Sequence, residues 1–201
     1  MVLIIGISGA SGVIYGIRLL EILSSQANVE THLVISEAGE INIRYETDWK
    51  IADIKALANF SYNINDIGAC LSSGSFPRDG MIIAPCSTKT MSALASSYTA
   101  NLLIRAGDVT LKEQKKLVLL IRETPLHLGH IRNMERLSEM GAVIMPPLPS
   151  FYHRPKTIQD IINHTMGKTL DILGIEHNLF PRWQGLPNQK EEAPYKGNSF
   201  G

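Results

Sequence analysis

Short aliphatic runs alternate with longer stretches of helical period along most of the 201-residue chain, and this alternation constrains the fold more than any other feature. The runs are continuous, which is typical of strands covered by helices on both faces. We assign such strands to residues 2–7, 31–35, 81–84, 117–121 and 142–145. Strand–helix alternation at this spacing predicts a single α/β domain with three layers and a doubly wound, mostly parallel sheet.

Helical periodicity marks the segments between these strands. One expected helix carries Leu128 and Leu137 and is closed by Gly141, and the others span about 11–25, 37–45, 51–58, 88–98, 101–116 and 158–173. The Asn-, Ser- and Gly-rich stretch 60–79 is expected to have little regular structure. We expect a Rossmann-like domain over residues 1–187 and a polar C-terminal tail over 188–201.

Composition excludes several classes of function. Lys plus Arg and Asp plus Glu number 19 each, so the net charge is zero and no nucleic-acid partner is expected. No apolar run approaches the roughly 20 residues that a membrane helix needs. Cys70 and Cys86 lack the spacing of a zinc site, and the histidines are not expected to ligate a metal. We therefore expect a cytoplasmic, reduced protein that has no metal and no membrane contact.

Polar residues follow each predicted strand at the point where the strand ends. Because the carboxyl ends of parallel strands share one edge of a sheet, and ligands bind at that edge, we expect one common site there. The segments that would form it are Ser8–Gly12, Ser36, Pro85–Thr90, Arg122–Pro125 and the loop with Tyr152–Arg154.

Two of these loops suit a phosphate. Gly6, Gly9 and Gly12 permit close approach of a ligand, with amides at a helix N-terminus facing an anion, although a tight turn that binds nothing is an equal alternative. Ser87–Thr90 offers hydroxyl and amide donors and the charge of Lys89, whereas the alternative is a helix N-cap with a solvated lysine. No acidic residue follows the first loop at the spacing that would bind the ribose of NAD. These features favour a mononucleotide such as FMN over a dinucleotide.

Four charged or aromatic residues are candidates for chemistry or substrate binding. Arg122 is suited to bidentate contact with phosphate and Glu123 to proton transfer, whereas the alternative is a surface ion pair. Lys168 lies at the rim of the apolar stripe of the last helix, so it either extends along the surface or reaches the anion site. Trp183 is either a packing anchor or an aromatic wall for a hydrophobic or cationic group.

Taken in order, these loops resemble the UbiX family of flavin prenyltransferases. The likeness extends from about residue 2 to residue 184, and the Pro-Cys-Ser-Thr-Lys-Thr and Phe-Tyr-His-Arg-Pro segments are its most specific parts. The matching stretches are 6–12, 73–76, 84–90, 111–113, 122–126 and 146–155.

The resemblance implies transfer of a dimethylallyl group from dimethylallyl monophosphate to N5 and C6 of reduced FMN, without a metal. It implies FMN contacts for Gly9, Ala10, Ser11, Ser36, Ser87, Thr88, Lys89, Thr90 and Arg122. It implies catalytic roles for Glu123, Arg122 and Lys112, and it implies that the prenyl donor contacts Tyr152, Lys168, Lys112 and Trp183.

The resemblance also implies a large homo-oligomer, commonly a dodecamer with sites at subunit interfaces. The product would pass to a UbiD-type decarboxylase, as in ubiquinone biosynthesis. Three residues depart from the family pattern: Lys168 stands where the family usually has arginine, Ala100 where it usually has aspartate, and Gly107 where alanine is common. Neither Ala100 nor Gly107 is expected to touch a ligand. Two alternatives stay open: a flavin-dependent cysteine decarboxylase-like enzyme, which would need a histidine in the first helical region, and a non-catalytic FMN carrier or decarboxylase subunit.

Overall fold

The computed structural model describes residues 1–185, so the predicted boundary at 187 and the tail beyond it lie outside the described residues. Its centre is a six-stranded parallel sheet. The strands are β1 (Val2–Ile7), β2 (Glu30–Ile35), β3 (Phe60–Tyr62), β4 (Gly80–Cys86), β5 (Lys116–Ile121) and β6 (Val143–Ile144). Their order across the sheet is β3-β2-β1-β4-β5-β6, the Rossmann order.

Helices cover both faces of this sheet. They are α1 (Ile14–Ser24), α2 (Glu37–Glu46), α3 (Ile51–Leu57), α4 (Thr88–Ala95), α5 (Leu102–Lys112), α6 (Leu128–Glu139) and α7 (Ile158–Leu173). One hydrophobic cluster joins the sheet to α1, α2, α3 and α7, and a second joins it to α4, α5 and α6. The predicted three-layer α/β architecture is therefore confirmed.

The central strand explains the aliphatic runs of the sequence. Leu3, Ile5 and Ile7 of β1 enter the first cluster, whereas Ile4 enters the second. All four side chains are completely buried. Successive side chains of a strand point to opposite faces, so a strand covered on both faces needs apolar residues at every position.

Several helices are shorter than predicted. α1 begins at Ile14 rather than near residue 11, because Gly12 has a φ of +94°, a left-handed conformation that an α-helix cannot include. α4 and α5 also end earlier than predicted, where Ser97 and Gln114 have φ values of 54° and 55°. These turns are local backbone events that apolar periodicity does not report.

The sheet, in contrast, is larger than predicted. β3 forms its edge within the stretch expected to be irregular, and a short 3₁₀ turn follows at Cys70–Ser72. β4 continues through Pro85 to Cys86 instead of ending before the proline. Pro85 lies in an irregularity of the pairing between Ile83 and Cys86, where the missing N–H of proline is tolerated.

Gly16 provides a test of how α1 packs on the sheet. A Cβ at this position would be 2.3 Å from the Ala84 carbonyl oxygen and 2.8 Å from Ile7 Cγ1, both in the centre of the sheet. We expect Gly16→Ala to lower the free energy of unfolding by about 1–3 kcal/mol, measured from urea unfolding at fixed protein concentration. Gly68→Ala is the matched control, because its Cβ would meet only Asp66 Oδ1 at 3.5 Å. Equal unfolding midpoints for the two variants would contradict this packing.

Candidate functional site

The strand order reverses between β1 and β4, which is where ligands bind in sheets of this topology. A cavity of about 410 Å³ lies there, within the range of roughly 300–1,000 Å³ that is typical of small-molecule sites. It brings together residues that follow β1, β2 and β4. Six of the nine residues predicted to bind flavin line it: Gly9, Ser36, Ser87, Thr88, Lys89 and Thr90.

Ser8 joins the loop after β1 to the loop after β4. Its Oγ donates to the Pro85 carbonyl oxygen at 2.9 Å and accepts from the Ser87 backbone N–H at 2.8 Å. The Ser8 backbone N–H donates to the same carbonyl oxygen at 3.2 Å. Ser8 is buried, so water does not compete for these bonds, and the two loops are held at a fixed separation.

Two hydroxyls of the cavity also cap helices. Ser87 is the N-cap of α4, where its side chain accepts from the Thr90 N–H, and Ser36 is the N-cap of α2, where it accepts from the Gly39 N–H. The N-cap interpretation of Ser87 is therefore confirmed, and the same residue lines the cavity. Both helices present their amino ends, which carry the positive end of the helix dipole, to this space.

The amino end of α1 is occupied by a carboxylate of the chain itself. Glu46 Oε2 accepts from the backbone N–H groups of Gly12 at 2.8 Å and Val13 at 3.3 Å. The prediction that amides at this helix end face the anion of a ligand is wrong for these two groups. Ala10 and Ser11, predicted FMN contacts in the same loop, are not among the residues that line the 410 Å³ cavity.

The types of residue that line this cavity suit a phosphorylated mononucleotide such as FMN. Ile64 and Ile104 supply apolar surface against which a ring can lie. Gly9 lies so close to α2 that a Cβ would be 2.3 Å from Ala38 Cβ, so the backbone itself forms the wall. Hydrogen-bonding groups and a cation come from Ser36, Ser87, Thr88, Lys89, Thr90 and Asn101.

Arg122 and Glu123 follow β5 on the same edge of the sheet. The Arg122 backbone N–H donates to the carbonyl oxygen of Cys86, directly before the α4 N-cap, at 3.1 Å. The Glu123 carboxylate accepts from the Thr124 N–H at 3.0 Å. Within residues 1–185 neither charged side chain forms an ion pair, so the surface ion pair considered as an alternative is wrong.

A second cavity, of about 220 Å³, lies between the loop after β6 and α7. It brings together Tyr152 and Lys168, two of the predicted donor contacts. Lys168 is half exposed, and its ammonium is 3.9 Å from Asp171 Oδ2. A surface ion pair at this distance is weak, so the Lys168 ammonium remains able to bind an anion. The complete lining is Met145, Pro146, Leu148, Ser150, Tyr152, His164, Thr165 and Lys168.

Trp183 lies beside this second cavity. Its ring meets the Tyr152 ring edge to face, with centroids 5.7 Å apart and an interplanar angle of 82°. Trp183 is 59% exposed, which favours the aromatic wall over the packing anchor among the two interpretations of this residue.

An ion pair between Asp171 and Arg182 holds the segment that carries Trp183 against α7. The Arg182 guanidinium donates two hydrogen bonds to the Asp171 carboxylate, at 2.6 and 2.7 Å. Gly167 permits the close approach, because a Cβ there would be 2.4 Å from the Phe180 ring. We call this pair the Asp171–Arg182 clamp.

Lys112 lies at the opposite edge of the sheet. It ends α5, just before β5 begins, and its ammonium contacts Glu113. A crossover helix returns the chain from the carboxyl edge to the amino edge, so the 11 residues of α5, about 16 Å long, separate the two edges. Within a single subunit Lys112 therefore does not join Arg122 and Glu123, and its predicted role stays a prediction that requires a second subunit.

The described part of the chain contains no group of three or more His, Cys, Asp or Glu side chains placed to hold a metal ion. His127 and His130 stand at a spacing that metal ligands use, but their rings stack with centroids 3.6 Å apart. The His127 Nδ1 atom accepts from the Gly129 N–H instead. Among residues 1–185, no helix has the length and apolar character needed to cross a membrane.

Comparison with known proteins identifies the family. The profile of the family described as Flavoprotein matches residues 1–176. The chain is 57% identical over 192 residues to the flavin prenyltransferase UbiX of Thauera aromatica, which covers 96% of this chain and 97% of that protein. The chain belongs to the UbiX family of flavoproteins.

Solved structures of UbiX proteins are similar over most of their length. AnUbiX (PadA1), in complex with FMN and dimethylallyl pyrophosphate, has a TM-score of 0.90 and 45% identity, covering 92% of this chain and 98% of that one. A dodecameric FMN-dependent UbiX-like decarboxylase from Escherichia coli O157:H7 has a TM-score of 0.91 and 48% identity, covering 92% of this chain and 100% of that one.

Asn101 and Glu46 were not singled out from the sequence. Asn101 caps α5 and lines the 410 Å³ cavity, and its position before an apolar helix is a signal that could have found it. Ala100, a departure from the family pattern that was not expected to touch a ligand, lines the same cavity. Glu46 reaches Gly12 from 34 residues away, a pairing with no local signal.

The docking of Trp183 is expected to depend on Asp171. The hydrogen bonds from Arg182 lower the pKa of the Asp171 carboxyl below its usual 3.8, and burial opposes this only in part. Because the folded state has the lower pKa, the clamp stabilises docking fully above pH 3.8 and is lost as the pH falls through the lowered value. We expect Asp171→Asn to release the segment at all pH values, measured by Trp183 fluorescence in a Trp49→Phe background.

Glu176→Gln is the matched control, since Glu176 is an exposed carboxylate of the same segment. Its Trp183 emission and quenching should equal those of the wild-type chain. If Asp171→Asn had the same Trp183 emission as this control across the acid range, the clamp would not be what holds the segment.

Proposed function

We propose that the chain transfers the dimethylallyl group of dimethylallyl monophosphate to N5 and C6 of reduced FMN. The observation that carries this proposal is the 57% identity, over 96% of the chain, to a flavin prenyltransferase. The site supports it with two cavities at the carboxyl edge of the sheet. One is large enough for a flavin acceptor, and the smaller one presents a cation and aromatic surface to an anionic prenyl donor.

FMN is proposed to occupy the 410 Å³ cavity, with Ala10, Ser11 and Arg122 as additional contacts at its margin. In its reduced form FMN supplies the nucleophilic N5 and C6 atoms to which the prenyl unit becomes bonded. The hydroxyls at the start of α4 and the ammonium of Lys89 bind its polar groups. The hydrogen bonds of Ser8 hold the walls in place, so little orientation is lost when the ligand binds.

The prenyl donor is proposed to occupy the 220 Å³ cavity. Lys168 binds its phosphate as a point charge rather than as the bidentate fork that arginine would provide. Arg122 stabilises the negative charge of the leaving phosphate, and Glu123 gives it a proton. The rings of Tyr152 and Trp183 exclude water and present electron-rich faces to the allylic carbon as positive charge develops there.

We infer that Lys112 enters the site from a neighbouring subunit, since its own subunit places it at the far edge of the sheet. The UbiX-like protein of Escherichia coli O157:H7 is dodecameric, which supports a dodecamer with sites at subunit interfaces. Exposed apolar side chains just after Glu123 offer a surface for such an interface: Leu126, Leu128 and Ile131.

The monophosphate is proposed as the donor on the resemblance to the UbiX family, and within the described residues Lys168 is the one Lys or Arg that lines the smaller cavity. AnUbiX holds dimethylallyl pyrophosphate, so both donors belong in the test. We place the reaction in the cytoplasm, because Cys70 and Cys86 are free thiols, as in a reducing compartment. The prenylated FMN is proposed to pass to a UbiD-type decarboxylase, as in ubiquinone biosynthesis.

Two other functions are less well supported. A cysteine decarboxylase-like enzyme would need a histidine in the first helical region, and α1 has none between Ile14 and Ser24. A non-catalytic FMN carrier would have no use for the second cavity, with its cation and aromatic wall.

Anaerobic incubation of the protein with reduced FMN and dimethylallyl monophosphate is expected to yield a flavin heavier by one dimethylallyl unit. Mass spectrometry of the extracted flavin measures the product, and parallel incubations with dimethylallyl pyrophosphate and with no donor identify the preferred substrate. An unchanged flavin mass with both donors would overturn the enzymatic proposal and favour the carrier.

Glu123→Gln is expected to slow prenyl transfer about 100-fold or more while FMN affinity stays the same. Glutamine keeps the oxygen that accepts from the Thr124 N–H, but it has no carboxyl proton to give. Single-turnover rates and flavin fluorescence titration measure the two quantities. Glu139→Gln, at the last residue of α6, is the control. Turnover of Glu123→Gln at the control rate would exclude Glu123 as the acid.

A further inference from the structure

His164 connects α7 to the hydroxyl group of Tyr152. The His164 Nε2 and Tyr152 Oη atoms are 2.8 Å apart. His164 is 6% exposed and Tyr152 is 52% exposed, so the tyrosine extends from a buried anchor toward solvent. Both line the 220 Å³ cavity with Lys168, which lies one helical turn after His164 on the same face of α7.

Three aromatic neighbours hold the His164 ring in one plane. The His153 ring stacks on it with centroids 4.6 Å apart and an interplanar angle of 7°. The Phe180 ring lies 4.5 Å away, and the Tyr152 ring meets it edge to face at 5.6 Å. These contacts fix the plane of the ring, and within that plane the 2.8 Å hydrogen bond to Tyr152 favours the orientation that directs Nε2 to the hydroxyl.

Burial lowers the pKa of the His164 imidazole, and the nearby His153 and Lys168 lower it further against the opposing effect of Asp171. This direction favours the neutral imidazole near pH 7. A neutral imidazole has one ring proton, on either Nδ1 or Nε2.

The position of that proton decides what Tyr152 offers to a ligand. With the proton on Nδ1, Nε2 accepts the hydroxyl proton of Tyr152, and only oxygen lone pairs face the cavity. With the proton on Nε2, the imidazole donates to the tyrosine oxygen, and the tyrosine hydroxyl donates to the ligand. The oxygens of a phosphate anion are acceptors, so a phosphate requires the second arrangement.

We propose that His164 is a positioning residue for the prenyl donor: its Nε2–H donates to Tyr152 and thereby directs the tyrosine hydroxyl proton to the donor phosphate. This role depends on the proposed function, in which the 220 Å³ cavity holds dimethylallyl monophosphate. It gives a reason for a buried polar ring on α7, where an aliphatic side chain would pack without needing a hydrogen-bond partner.

Two substitutions distinguish the contribution of the His164 N–H, as a hydrogen-bond donor, from that of its aromatic ring. His164→Phe keeps an aromatic ring and removes the N–H, whereas His164→Gln removes the ring and keeps an N–H donor. We expect His164→Phe to raise the KM for dimethylallyl monophosphate about tenfold, because the tyrosine hydroxyl loses the hydrogen bond that directs its proton to the phosphate. His164→Gln should stay within about threefold of the wild-type KM, and FMN affinity should be unchanged in both variants.

Tyr152→Phe completes a double-mutant cycle. Without the tyrosine hydroxyl, His164→Phe should cause no further rise in KM. A merely structural role would make His164→Phe equally harmful in both backgrounds, or would make loss of the ring in His164→Gln the more harmful change. Either result would overturn the proposal.

Wild-type transfer is measured first, so that failure of the proposed function is recognised separately. If the wild-type chain forms no prenylated FMN, calorimetric titration with inorganic phosphate applies the same cycle to binding alone. Weaker phosphate binding by His164→Phe, but not by His164→Gln, supports the role of His164, and equal binding by both rejects it. Size-exclusion chromatography checks assembly, and His164→Met replaces His164→Phe if the latter does not assemble.

Discussion

The hydrogen bonds of Ser8 are the interaction on which the rest of the site depends. The loops after β1 and β4 lead to helices on opposite faces of the sheet, at the point where the strand order reverses. The backbone N–H of Ser8 donates to Pro85, and its buried hydroxyl donates to Pro85 and accepts from Ser87, so Ser8 joins the two segments. The amino end of α4 thereby has a fixed place relative to β1, and the 410 Å³ cavity has walls of defined separation.

The elements that could be predicted from sequence are those whose cause is local. β1 lies between two hydrophobic clusters, so its aliphatic run is direct evidence of its position. α7 has an apolar stripe and begins with a capping box at Thr157 and Asp160. β3 escaped prediction because its three residues form an exposed edge, where no apolar pattern is required. The true start of α1 was missed because it depends on the conformation of Gly12.

The candidate site was predictable to the extent that it follows from strand order. Ser36 and Ser87 share a cavity because each follows a parallel strand, and that follows from the alternation alone. Which subunit's Lys112 could reach the site was not predictable, because its motif says nothing about which edge of the sheet it reaches, whereas the direction of α5 does. Glu46 was missed because a carboxylate that meets an amide group 34 residues earlier is a tertiary contact.

The Asp171–Arg182 clamp has a consequence for the exchange of ligands. Within the described chain, residues 176–185 make no hydrogen bond from backbone to backbone, so side chains alone attach them to α7. Opening this segment leaves the sheet and the buried residues of both hydrophobic clusters in place and removes the partly buried Leu179 from the first cluster. The free energy of opening is therefore a small part of that of global unfolding. The aromatic wall can separate from the domain many times in the lifetime of the folded state, which gives the proposed prenyl donor a route of entry that requires no movement of the 410 Å³ cavity.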